Sequence, residues 1–428
     1  MRAAAVALAV GLAITLASAT PGQAGPLGFG RPVRFAGPVP LDALPIQIGV
    51  SPAGSAAIGF GLFDADKPAG AQGELALTNP ADRPSAARAV PHSRQVLDVG
   101  AFAGDWTVLA GTSAGGLPCC TKVQALVDSA HGFTAAQVLM HGLGGVILGR
   151  LVLAGSRQLA TFASSTGVWV AQASRPGRFG AARRLSASGV SPQSLVAMAV
   201  HGGGTLAAWT QSPLTPGDTP SPPRIIVARG AAGRLPGPAH VLAALPAGTS
   251  TGALALAPNP WRPTLGWTQD TTSGDSQVVL ADVATPQRPR TFQTPGEAAS
   301  SLAGAADDAG DEVFAWETCD GVPSCQVNAV SRAAGGRFGV AHALGAIDAA
   351  GGPAVAVDRG GAAVIGWVSS GHVWVSRRVS ATGHFRPAQQ LPSADASDLR
   401  LAAAANGRTL AVWTEGSART TLWASVAP

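Results

Sequence analysis

Carboxylates carry most of the chemistry this chain could perform. Asp64 and Asp66, Asp218, Asp270 and Asp275, Glu317 with Asp320, and Glu415 all follow apolar runs and open short polar stretches. Two carboxyl groups about 5 to 10 Å apart would serve as acid and base, or acid and nucleophile, on a glycosidic bond. Several oxygens gathered at one point would instead collect calcium. Asp64-Ala65-Asp66 opens like a calcium loop. No oxygen ligand stands at the next alternate position, however, and Glu74 comes too early for EF-hand spacing. Asp64, Asp66, Asp270, Glu317 and Glu415 are therefore candidate ligand-binding positions, and no catalytic residue or metal ligand is assigned. The competing reading is that they are polar loop residues keeping an apolar chain soluble.

Other reactive types are sparse. The eight histidines form no His-x-His or His-Glu-x-x-His arrangement, and there is no Gly-x-Ser-x-Gly elbow or phosphate loop. No cofactor is expected. Tyrosine is absent, which excludes a glycosidase with a Tyr nucleophile. Cys319 and Cys325 bracket a short turn and suit a local disulfide formed in an oxidising compartment. Cys119-Cys120 are adjacent and read either as a vicinal disulfide or as separate thiols. The net charge of +5 is small for this length, and the arginines are scattered, so no nucleic-acid partner is expected.

The elements that must position these residues repeat. A strand ending near Trp recurs about every fifty residues, with anchors at Phe60, Gly111, Phe162, Trp209, Trp267, Trp316, Trp367 and Trp413. The longest spacing holds the Pro-, Ser- and Thr-rich insertion Ser212 to Pro223, a loop extension. In the seventh unit, Ala354 to Val357, Ala362 to Trp367 and Val373 to Arg377 alternate as strands between Gly-containing turns. A fourth strand over Gly383 to Leu391 follows. Its pattern, Gly-x-Phe-Gly-x-Ala-x-x-Leu, also starts at Gly177 and Gly336. The last unit stops after a third strand, Thr421 to Val426, while Leu27 to Phe35 carries the fourth-strand pattern at the other end of the chain. Pairing these two segments would close a ring and remove two open sheet edges.

Four antiparallel strands per unit is the anatomy of a propeller blade. The chain resembles secreted bacterial β-propeller repeat proteins in general, without the motifs of a named family. The Asp-box and the Gly-His…Trp-Asp signature are both missing. The expected fold is an all-β, eight-bladed propeller, with seven blades as the runner-up, closed by the N-terminal strand in the last blade. The Trp anchors are expected to fill the wedges between blades.

Residues 1–24 read as a secretory signal, with Arg2, an apolar run from Ala3 to Ala17, and cleavage after Ala19 or Ala24. Residues 25–428 would form one propeller domain, secreted or in the cell envelope, monomeric and not inserted in a membrane. The expected role is binding or scaffolding, with a protein or carbohydrate partner. The alternative is a glycan-active hydrolase or lyase using loop carboxylates at the central channel.

Overall fold

The computed structural model describes residues 28–427, apart from 40–41, 44, 64–70, 79–82, 113–120, 143–144, 189, 214–221, 272–274, 294–296, 321–324, 349–350, 405 and 417–418. Residues 1–24, read above as a signal, and Asp64, Asp66, Asp218, Cys119 and Cys120 lie outside the described residues.

Eight antiparallel sheets follow one another along the chain. Blade 7 shows why these sequences form them. Its strands are Ala354–Val357, Ala363–Ser369, His372–Arg378 and Gln389–Gln390. Ser370 and Gly371 both have positive φ, 52° and 70°, which gives the hairpin turn whose twist matches that of its strands. The fourth strand is much shorter than the nine residues its pattern predicts. Pro387 has no N–H to donate, and only Gln389 and Gln390 pair with the third strand. The pattern mainly buries its Phe and its Leu. Phe179, Phe338 and Phe29 are buried, each in the wedge between its own blade and the preceding one.

The ring closes as the sequence predicts. Val33–Val39 pairs antiparallel with Thr420–Ala427, matching Val33 to Ala424 and Val39 to Thr420. The Gly30 amide donates to Val426 O at 2.9 Å. The Ser425 hydroxyl donates to Gly30 O at 2.7 Å. Phe35 meets Phe60 of blade 1 edge-on at 6.1 Å. Blade 8 therefore consists of three C-terminal strands and one N-terminal strand.

The apolar core is eight clusters, one in each wedge between neighbouring blades. Trp209, Trp267, Trp316, Trp367 and Trp413 are all buried there, each facing the preceding blade. Phe60 and Phe162 do the same in blades 1 and 3. Blade 2 departs from the sequence register by one residue. Val108 and Ala110 face blade 1, so Ala110 rather than Gly111 holds the anchor position, and Trp106 packs against the same wedge.

Phe35 fixes the closing strand through burial. Replacing it with Ala should cost about 3–5 kcal/mol, read as a lower denaturation midpoint with an unchanged m-value. A loss below about 1 kcal/mol would mean that this strand contributes little to closure.

Candidate functional site

The sequence triplet Trp-Thr-Gln or Trp-Thr-Glu ends the second strand in three blades. Each residue has a separate task. The indole N–H of Trp209 donates to Gln211 at 2.9 Å, that of Trp267 to Gln269 at 2.8 Å, and that of Trp413 to Glu415 at 2.9 Å. The intervening Thr turns to a bulge in the blade's first strand. Thr268 accepts from the Ala253 amide at 2.9 Å, and Thr414 from the Asp398 amide at 3.1 Å. Thr210 and Ser194 share a hydrogen bond of 2.7 Å at the equivalent bulge.

These tasks account for two candidate carboxylates. Glu415 accepts from Trp413 and from the Ala394 amide at 3.0 Å, so it ties a wedge residue to the turn entering blade 8. Glu317 follows Trp316 directly and takes the Thr position. The Ser300 hydroxyl donates to it at 3.1 Å, and the side chain is buried. Burial pushes its carboxyl above the usual range, while the Ser300 and Ser301 hydroxyls pull it back, and no neighbouring acid contributes. Asp270 is exposed at the end of its strand, where the Ser250 and Ser276 hydroxyls donate to it. These three residues stand on blades 5, 6 and 8, and the described contacts bring no two of them together.

Cys319 and Cys325 face each other across the second and third strands of blade 6 and form the expected disulfide. Their sulfurs lie near the Glu317 carboxylate. Bonded to one another, they supply no thiolate for a metal. Asp307 accepts from the Gly310 and Asp311 amides at 2.7 and 2.8 Å, holding the turn between first and second strands.

Space for a ligand lies on the axis, where the first strands of all eight blades converge. Two cavities of about 530 and 550 Å³ share Arg150 and Ala197 in their walls. The first reaches the turns between first and second strands at Ser51, Asp308 and Arg359. Asp308 and Arg359 form an exposed ion pair of 3.0 Å at that mouth. The second cavity extends past Ser301 and Arg400 to Gly351 and Gly352.

Three charged channel residues were not singled out in the sequence. Asp98 accepts from the Val99 amide at 2.9 Å and, across to blade 3, from the Leu151 amide at 2.6 Å. Burial raises its pKa, opposed by Arg150 and by these two amides. Arg150 donates through Nη1 to its own neighbour Gly149 O at 2.8 Å. Arg400 pairs with Asp398 at 2.7 Å and donates to Leu399 O at 2.9 Å. The available signal was a lone arginine inside an apolar strand, Gly149-Arg150-Leu151 and Leu399-Arg400-Leu401. Trp261 was also missed. It stands outside the strand register in Asn259-Pro260-Trp261, is 63% exposed, and stacks on His201 at 3.4 Å.

No family model and no curated protein matches this sequence. Among solved structures, the chain is similar to the Dos1 propeller at 11% identity, covering 92% of this chain and 93% of that one, with a TM-score of 0.52. It is similar to the BP39L lectin from Burkholderia pseudomallei at 12% identity, covering 84% and 100%, with a TM-score of 0.53. It is similar to the polysaccharide lyase Uly1 at 8% identity, covering 93% and 99%, with a TM-score of 0.51. At these identities the likeness shows the propeller fold alone.

Glu317 offers a test of the structural assignment. Its folded pKa is raised, so its contribution to stability is fully present below the unfolded value and is lost as pH rises through the folded value. Glu317→Gln removes that loss and keeps an acceptor for Ser300. The variant should melt higher than wild type at pH 7.5, with the difference shrinking toward pH 4. A variant clearly less stable at pH 7.5 would show that the charged form is the one the fold requires.

Proposed function

We propose that this chain is an exported propeller that binds a carbohydrate in its central channel and does not transform it. The observation that carries the reading is the contrast between the candidate acids and the channel. Asp270, Glu317 and Glu415 sit on separate blades, each accepting hydrogen bonds within its own blade. Of the carboxylates in or beside the channel, Asp98 spends both oxygens on amides, Asp307 accepts from two amides of its own turn, Asp308 pairs with Arg359, and Asp398 holds Arg400. Asp307 and Asp311 lie close together beside the first cavity, but each accepts from backbone amides of the loops it holds, so this pair serves the fold and not glycoside hydrolysis in this reading. The channel meanwhile offers cavities of about 530 and 550 Å³, the size range of ligand sites.

Two further points support the reading. Similar propellers include a lectin and a polysaccharide lyase, so this architecture accommodates saccharides. The Cys319–Cys325 disulfide suits an oxidising compartment, in keeping with the reading of residues 1–24 as an export signal. No helix among the described residues is long and apolar enough to cross a membrane.

The experiment is a binding and turnover screen of the mature chain against polysaccharides and peptidoglycan. Retention without new chain ends over a day is expected. A flat result across all of them would favour a protein partner. Release of shortened products, abolished by Glu317→Gln, would restore the enzyme alternative.

A further inference from the structure

Arginines in this fold are of two kinds. Arg332 is the structural kind. It is buried, its Nη2 reaches Thr264 at 2.6 Å and both Asp282 and Glu312 at 2.8 Å, and it clamps blade 5 to blade 6. Arg150 has no such company. Among the described residues it enters no ion pair, and its one hydrogen bond goes to the carbonyl beside it in sequence. Asp98 acts on it through space only, because both Asp98 oxygens are occupied by amides. Arg400 uses Nη1 for both of its bonds, to Asp398 and Leu399 O, which leaves Nε and Nη2 uncommitted. Both arginines line the same cavity of about 550 Å³.

The rest of that wall mixes aliphatic side chains such as Val196, Leu256 and Leu401 with small residues that leave room. Ala253, Ala303, Gly304, Gly351 and Gly352 contribute little beyond backbone. Ser301 adds a hydroxyl to this otherwise apolar wall. Ser301 holds a φ of 46° inside a bulged strand, a conformation that a non-glycine residue adopts only under constraint. Its hydroxyl lies on the Glu317 side of the wall, close enough to pull that carboxyl's pKa down. A Cβ on Gly352 would come within 2.9 Å of Ser301 Cβ, so glycine is needed beside it.

We propose that this cavity binds an acidic saccharide, with a carboxylate or sulfate group of the sugar seated between Arg150 and Arg400. The proposal rests on the carbohydrate reading above and names the class. A planar guanidinium fork matches two oxygens of a carboxylate or sulfate, which a neutral hydroxyl does not require. Low dielectric around the small apolar wall strengthens that contact. The two channel carboxylates do not cancel it, since Asp98 faces amides and Asp398 occupies only one edge of Arg400.

The test is calorimetric titration of the mature protein with oligogalacturonate, dextran sulfate and neutral dextran, at low and high salt. Acetate and inorganic sulfate serve as the free-anion controls. Acidic polymers should bind at least about tenfold tighter than neutral dextran, with affinity falling as salt rises. Arg150→Gln and Arg400→Gln should each weaken acidic binding by about tenfold or more, with melting temperatures near wild type. Arg150→Lys keeps the charge and loses the fork, so it should weaken binding severalfold. It also carries the test if the Gln variant does not fold. Binding of neutral dextran as tight as that of the acidic polymers, unmoved by the Arg variants, overturns the acidic class and keeps the carbohydrate reading. Binding of acetate or inorganic sulfate as tight as that of the acidic polymers makes the site one for small anions and overturns the saccharide. Absence of binding to every saccharide removes both readings.

Discussion

In blade 8, Ala411 and Trp413 point toward blade 7 while Leu410 and Val412 point toward blade 1. The same alternation runs through each second strand, so every blade is apolar on both faces. A four-stranded sheet of that kind cannot stand exposed to water on either side, and a row of them would always leave two faces bare. Closure into a ring solves both problems together. The wedge between blades 8 and 1 then becomes equivalent to the other seven, and the N-terminal strand supplies the hydrogen-bond partners that Thr420–Ala427 would otherwise lack. Everything at the axis depends on this, because the channel exists only where eight first strands are held around it.

What the sequence could reveal follows from what repeats. Trp209, Trp267, Trp316, Trp367 and Trp413 recur because the same wedge recurs, and Phe29 matches Phe179 and Phe338 because all three fill one kind of pocket. Blade 2 broke the register because its wedge is filled by Ala110 with help from Trp106, so no large side chain marked the place. The fourth strands were overestimated since their pattern records buried Phe and Leu residues, not continuous pairing. Glu415 and Glu317 looked like loop acids because polarity after an apolar run reads the same whether it meets water or a Trp indole. Arg150 and Arg400 were invisible for the opposite reason. A single charge in an apolar strand has meaning only once the strand is known to line an axial space.

Charge is also distributed by position within the repeat. Asp282, Arg332 and Arg378 occupy the same site at the end of the third strand in blades 5, 6 and 7, opposite Thr264, Glu312 and Ala363. In blade 6 the arginine faces an acid and completes an inter-blade network. Removing one member of such a buried set would strand the others, so the network acts more as a register lock than as a source of net stability. In blade 7 the facing residue is Ala363, and Arg378 is buried with no hydrogen-bond partner among the described residues on Nε, Nη1 or Nη2. Burial lowers its pKa, and the charges of Asp311 and Asp307 from blade 6 hold it up. The repeat has conserved the placement of charge between neighbours while changing the residue that answers it.

Glu317 shows how far the repeat constrains chemistry. In blades 5 and 8 its position is a threonine whose hydroxyl caps a bulge in the first strand. A carboxylate there reaches two atoms farther and meets the Ser300 hydroxyl, beside Ser301, which is held at positive φ on the channel wall. The acid that stood out in the sequence thus works on the shape of the wall from behind it. An acid in that place is shielded from a ligand by the strand it supports, which is incompatible with proton transfer to a bound sugar at hydrogen-bond distance. Ser301 lines the same cavity as Arg150 and Arg400, so the acid acts on that cavity only through the backbone it braces.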